Sequence, residues 1–179
     1  KKSRRFGVEI SNSFNSNNLM INTSLSLSRN LVYNFKEYIY DYGSDFSEYN
    51  TVINNYNVTD IAFSPNIIIN NHFEWKVNNN LNLVWKTKYV SNQYLDNTSN
   101  INRMIKSFII NDFEINTSFI NNVFDNLYFK ISANNIFNVM YSSNGYTFGY
   151  YAGLDTEIRE NYFYPQAGRN FMVSLNLKI

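Results

Sequence analysis

Few side chains in this sequence could do covalent or acid–base chemistry, and their spacing narrows them further. Histidine occurs once, at His72, and cysteine is absent. A lone imidazole cannot furnish a His-based metal cluster or a Ser-His-Asp relay, and thiolate or Cys-metal chemistry has no residue to carry it. On the parity it shares with Asn70 and Glu74, His72 reads as a hydrogen-bonded polar residue rather than a ligand. Asp112 and Glu114 stand two apart, with Lys86, Lys88 and Lys130 on flanking segments. That pattern suits ion pairing better than a general acid and base, since no nucleophile–base pair accompanies it. The glycines between Gly145 and Gly153 lack phosphate-cradle spacing and a strand-to-helix setting. Two tyrosine clusters remain, Tyr38/Tyr40/Tyr42 and Tyr146/Tyr150/Tyr151. Aromatic loops suit organic chelates and sugars, which makes these six weak substrate-contact candidates; loop packing or interfacial placement is the simpler reading. The chain is therefore read as a non-enzyme, with no catalytic, cofactor-binding or metal-ligating residue and no cofactor.

Composition points to an unusual setting. Aromatic residues make up 18% of the 179 residues, yet charged residues only 16%, with a mean hydropathy of −0.37. Asparagine is heavily over-used, which by itself has a low-complexity reading, but regular period-two blocks argue against disorder. A net charge of +1 argues against the basic face expected of a nucleic-acid binder. No apolar run approaches the length of a membrane-spanning helix.

The periodicity is that of strands. Phe171, Val173, Leu175, Leu177 and Ile179 alternate with Asn170, Ser174, Asn176 and Lys178 to the last residue. The same alternation marks Phe6–Phe14, Leu19–Ser28, Ile67–Val77, Leu81–Tyr89, Ile109–Phe119 and Leu127–Asn134. Short polar turns are expected at Asn15–Asn18, Asn78–Asn80 and about Asn121–Asn126. Longer loops are expected over Arg29–Asp60, Ser91–Lys106 and Asn138–Ala167.

Two regularities indicate a membrane. Short turns alternate with long loops, as in outer-membrane barrels. Nearly every strand charge, namely Glu9, Glu74, Lys76, Lys86, Lys88, Asp112, Glu114, Lys130 and Lys178, falls on the polar parity. A Lys or Arg facing mid-bilayer lipid costs about 2–4 kcal/mol, while one facing a wet lumen costs little. A soluble sandwich also alternates, but with shorter strands and denser Gly/Pro turns. The expectation is an all-β transmembrane antiparallel barrel, with Phe6, Trp75, Trp85, Tyr89 and Phe119 in its aromatic girdles. Seven strands with both ends in antiparallel register cannot close alone, since single-chain bacterial barrels have even strand numbers. The chain opens Lys1-Lys-Ser-Arg-Arg5, without Met or signal peptide, so it reads as the C-terminal part of a larger barrel. Its terminal strand would then be one side of a seam.

The segment Tyr162-Phe-Tyr-Pro-Gln-Ala-Gly-Arg-Asn-Phe171, with the alternating strand after it, resembles the C-terminus of TonB-dependent outer-membrane receptors, especially the Bacteroidetes type. Arg4-Arg-Phe-Gly-Val-Glu9, Ile61-Ala-Phe-Ser-Pro65, Lys88-Tyr-Val-Ser-Asn-Gln-Tyr-Leu-Asp-Asn-Thr98, Asn134-Asn-Ile-Phe-Asn138 and Asn144-Gly-Tyr-Thr-Phe148 resemble the same family in order. The resemblance implies a 22-stranded barrel plugged by an N-terminal domain. Residues 1–179 would be the C-terminal barrel portion, with the plug and earlier strands absent. It implies an outer-membrane receptor and transporter for a scarce nutrient such as a siderophore, haem, cobalamin or an oligomeric nutrient. Its partners would be outer-membrane lipid, the rest of the barrel and plug, TonB through that plug, and an external ligand the sequence leaves unnamed, but no nucleic acid. The alternatives are a passive porin-like channel and a structural or adhesive barrel. One departure is Ile179, where the family usually ends in an aromatic residue.

Overall fold

The structure, a computed structural model, describes residues 2–119, 126–153 and 156–178. All regular structure in it is β. The strands are β1 (Lys2–Asn15), β2 (Leu19–Asp41), β3 (Asn50–Asp60), β4 (Ile67–Lys76), β5 (Leu81–Val90), β6 (Gln93–Tyr94), β7 (Met104–Ile105), β8 (Phe108–Phe119), β9 (Asn126–Asn134), β10 (Ser142–Tyr151), β11 (Ile158–Pro165) and β12 (Asn170–Lys178). β1, β2, β4, β5, β8, β9 and β12 are antiparallel neighbours in that order in one curled, half-barrel sheet. They occupy the alternating segments expected from the sequence, within a sheet of ten strands rather than seven. Ile179 and the expected turn at 121–125 lie outside the described residues.

Register decides what this sheet presents, because a slip of one residue would exchange its faces. The apolar parity lines up strand after strand: Ile10 with Leu25, Leu25 with Ile69, Ile69 with Tyr89 and Tyr89 with Ile109. At the other edge Ile115 faces Ile131, which faces Val173. The opposite parity carries Ser24, Asn70 and Lys88 in one row, and Asn22, His72, Lys86 and Asp112 in another. Glu114 is held from both sides, by Lys86 on β5 at 2.6 Å and Lys130 on β9 at 3.0 Å. The ion pairing anticipated from residue spacing is therefore present, centred on Glu114.

The apolar face is crossed by one polar row that parity alone conceals. Asn12, Thr23, Asn71, Thr87 and Asn111 are direct neighbours across five strands. An unpaired amide or hydroxyl in hydrocarbon is expensive, so such a row must satisfy itself. The Thr23 hydroxyl donates to Asn71 Oδ1 at 2.7 Å, Thr87 to Asn111 Oδ1 at 2.7 Å, and Trp85 Nε1 to Thr87 Oγ1 at 3.0 Å. Trp85 lies mid-strand between Phe73 and Phe113, within the apolar band rather than in a girdle. Phe14 and Trp75 stand next to short turns, and Phe119 is the last residue of β8.

The largest departure concerns the expected long loops. β2 does not stop at Ser28 but runs for 23 residues, and its last part pairs with β3 from Leu31↔Asp60 to Asp41↔Asn50. β10 and β11 pair antiparallel as a second hairpin, and β10 docks parallel to the end of β2 through Tyr150↔Tyr40 and Tyr151↔Asp41. A tilted strand needs about 9–11 residues to cross a bilayer, so β2 projects well past any such span. Apolar and aromatic residues occupy both parities here, as in Leu31-Val32-Tyr33, and that hid the strands from a period-two reading. The loop over 91–106 is real, pinned by the two-residue ladder of β6 and β7.

Candidate functional site

Two features at the loop end of the sheet, the end opposite the short turns, could act on a ligand: a buried ion network and an aromatic cluster. The network starts from Arg103, just before β7, whose side chain is only 6% exposed. Its Nη1 donates to Glu37 on β2 at 2.6 Å and to Asp96 at 3.0 Å, and its Nη2 to Glu157 beside β11 at 3.0 Å. Arg159 on β11 donates to Glu37 at 2.9 Å and pairs with Glu157. The Tyr56 hydroxyl and the Asn54 amide, both on β3, donate to Glu37 Oε2 at 2.9 and 3.4 Å. Planar guanidinium groups suit such multiple carboxylate contacts where an ammonium would not. Two arginines and three carboxylates thus fasten together the β2–β3 hairpin, the 91–106 loop and the β10–β11 hairpin.

Burial would push the Glu37 carboxyl upward, but hydrogen bonds from Tyr56 and Arg103 and the Arg103 charge outweigh it and hold it below its usual value. Burial, together with the Glu37 carboxylate it donates to, pushes the Tyr56 phenol up to about 12. Arg103 is held above its ordinary value: burial lowers it, and Asp96 and Glu37 more than compensate. Both directions favour the charged forms of Glu37 and Arg103.

The loop is shaped to carry Arg103 there. Asp96 accepts from the Thr98 hydroxyl at 2.6 Å and backbone N–H at 3.0 Å, an Asx turn that also presents its second oxygen to Arg103. Asn97 accepts from the Ala62 N–H at 2.7 Å, Ser99 from the Asp60 N–H at 2.7 Å, and the Tyr94 carbonyl from the Phe63 N–H at 3.0 Å. The segments Ile61–Pro65 and Lys88–Thr98 therefore lock each other. At Gly145 an added Cβ would lie 2.4 Å from the Tyr162 carbonyl and 3.0 Å from Leu95, so only glycine admits the buried Leu95 against the β10–β11 hairpin. In Asn134–Asn138, Asn135 adopts φ +49° and is buried, donating to the carbonyls of Val139 and Ala167 and binding Asp112 through its N–H. Asn138, at φ +54°, accepts from the Arg169 N–H at 2.9 Å, which joins the end of β9 to the start of β12.

The six tyrosines separate. Tyr40, Tyr42 and Tyr150 come together with Tyr49 and Phe46; Tyr40 stacks on Tyr49 at 4.7 Å, and Tyr42 meets Tyr150 edge-on at 6.1 Å. This cluster joins the tips of the two hairpins. Tyr146 lies apart, stacked on Tyr162 at 4.9 Å. Tyr38 projects its ring from β2 into solvent, and Tyr151 joins the hairpins through its carbonyl, which accepts from the Tyr42 N–H at 3.0 Å. The ion network was missed by sequence reasoning; the acids and arginines were visible, but they lie up to 122 residues apart. A groove of about 580 Å³ is lined by Ser11, Asn22, Asn70, His72, Lys88 and Asp112 of the polar parity and by Asn12, Thr23, Asn71 and Thr87 of the polar row. His72 lies 3.5 Å from Glu74 within its polar surroundings.

Known structures can be compared with this arrangement. The siderophore receptor PiuA from Acinetobacter baumannii superposes on 98% of the chain with a TM-score of 0.72 at 17% sequence identity. The ferric-catecholate import receptor Fiu from E. coli K12, in its closed form, covers 99% with a TM-score of 0.51 at 13% identity. What the chain shares with them is the fold. It spans 22% of the length of PiuA and 28% of Fiu, so about a quarter of such a receptor. No family model matches the chain, and no curated protein matches it by sequence.

Proposed function

We propose that this chain is the C-terminal barrel portion of a TonB-dependent outer-membrane receptor that imports a scarce nutrient. The observation that carries the reading is the superposition on PiuA over nearly the whole chain, in a sheet whose register sorts apolar and charged side chains onto opposite faces. In this reading the short turns face the periplasm, the polar groove faces the lumen, and the ion-latched platform faces outside. The 22-stranded parent, the plug with its TonB contact, and the Bacteroidetes-type assignment rest on the sequence resemblance. A ferric siderophore is the first nutrient to test, since both superposed structures are named for that class. Tyr40, Tyr42 and Tyr150 form the part of the platform best placed to meet it; Tyr38, Tyr146 and Tyr151 are secondary.

The test is uptake of iron-55 as a ferric catecholate by cells carrying the intact protein. Uptake should depend on the protein and vanish with a protonophore or without TonB. Uptake indifferent to the proton-motive force, or steady ion conductance by the purified protein in a planar bilayer, would replace this reading by that of a passive channel.

A further inference from the structure

The bonds within the polar row use its hydroxyls and leave an amide donor over. Asn71 Oδ1 accepts from the Thr23 hydroxyl at 2.7 Å. Thr87, the other cross-strand neighbour of Asn71, donates to Asn111 at 2.7 Å and accepts from Trp85 at 3.0 Å, so it does not serve Asn71. The Asn71 Nδ2 group thus has no acceptor among the described residues. The side chain is half-buried and stands at the lip of an outward depression of about 400 Å³ lined by Phe73, Trp75, Leu83, Trp85 and Phe113.

Depth makes that donor matter. Asn71 is five residues up from the turn end of β4; at ~3.3 Å per residue and a tilt of ~45° that is roughly 12 Å of height. The apolar band of such a barrel is ~25 Å tall, so Asn71 lies at its middle. Water does not reach that depth, and an acyl chain carries no acceptor. What answers an amide donor there is a second polypeptide surface, since polar side chains join protein segments inside membranes by hydrogen bonding across them. Asn71 carries a fitting acceptor itself: its Oδ1 has two lone pairs, and Thr23 uses one.

Two copies related by a two-fold axis along the membrane normal therefore complete each other, each Nδ2 donating to the other copy's Oδ1. The row climbs from roughly 7 Å at Asn12 to roughly 19 Å at Asn111 on the same scale. In the rotated copy it climbs the opposite way, so the two rows cross at Asn71, their middle residue. We propose that this outward face of β2, β4 and β5 is the interface between two copies of the intact protein. Its centre is a reciprocal Asn71–Asn71 amide pair, and the apolar depressions beside that pair close against the facing copy. The proposal rests on the membrane reading given above.

These 179 residues contain no cysteine, so an introduced one reports on a single contact. In outer membranes of cells making the intact protein with no other cysteine, Asn71→Cys under a copper–phenanthroline oxidant should give a disulfide-linked dimer on a non-reducing gel. Val173→Cys, on the same parity four strands away, and Asn70→Cys, on the opposite parity, should stay monomeric. Unaltered protein purified in mild detergent should sediment as a dimer, and Asn71→Leu should raise its dissociation constant at least tenfold. Leucine suits a lipid-facing position, so this variant should keep the heat-modifiable band of a folded barrel. A monomeric unaltered protein, a dimer as tight in Asn71→Leu, or equal cross-linking at Val173→Cys would overturn the interface. So would sedimentation as a complex with a different membrane protein in place of the second copy. Recovery of the protein outside the outer membrane would overturn the membrane reading itself, and is read from fractionation without any cross-linking.

Discussion

Replacing Arg103 by Ala tests the outer platform at its centre. The side chain is 6% exposed and serves Glu37, Asp96 and Glu157, which come from three separate segments. Removing one partner of a buried ion pair costs about 3–5 kcal/mol, because the remaining charges lose their compensation. Here the lower end applies: Arg159 still reaches Glu37 and Glu157, and Asp96 and Glu157 are about one-fifth exposed and can recruit water. The expected loss is ~3 kcal/mol, felt as local opening of the platform rather than unfolding of the sheet. At 1.36 kcal/mol per factor of ten, amide exchange in residues 93–105 and 157–160 should speed up more than a hundredfold. Amides of β4, β5 and β8 should stay unchanged. A double-mutant cycle with Glu37→Gln isolates the pair, with an expected coupling of ~2 kcal/mol. Arg103→Lys should rescue only part of the effect, since an ammonium cannot reproduce the forked contacts. Exchange accelerated less than tenfold, or accelerated equally in β4, β5 and β8, would refute the latch.

Further expectations follow from the same geometry. Glu37 is held below its usual value, so its contribution is present above the ordinary value of 4.5 and is lost as pH falls through its lowered one. The protection factors of the loop amides should therefore be flat from neutral pH down to about 4.5 and fall only in stronger acid. Tyr56 works in the opposite direction: its contribution is complete below 10 and lost as pH rises through about 12. Ultraviolet titration should include a phenol that ionises only at about 12, which Glu37→Gln returns toward 10. Gly145→Ala places a methyl group 2.4 Å from the Tyr162 carbonyl, and should loosen the β10–β11 hairpin by ~1–3 kcal/mol, seen as protease sensitivity within 142–165. Val173→Lys on the lipid parity of β12 should cost about 2–4 kcal/mol in refolding into bilayers, and Ser174→Lys next to it much less. Equal costs at the two positions would reverse the assignment of the faces.

Much of the half-barrel sheet was legible from parity alone. Side chains alternate along a strand, and a face that meets lipid tolerates almost no charge, so the placement of Glu74, Lys86, Lys88, Glu114 and Lys130 fixed both strand positions and facing. The β2–β3 and β10–β11 hairpins were not legible, because their strands carry apolar residues on both parities. The polar row from Asn12 to Asn111 was equally hidden: each member is one exception in its own strand, and only register aligns the five. The tyrosine clusters were visible as residues, but packing decided that Tyr42 meets Tyr150 while Tyr146 goes to Tyr162. The ion latch belongs wholly to tertiary structure. Glu37, Arg103 and Arg159 are local neighbours of nothing that predicts them, and what brings them together is the docking of β10 on the end of β2. Alternation is a property of one strand and can be read along the chain, whereas a buried charge needs partners, and partners are set by which strands lie side by side.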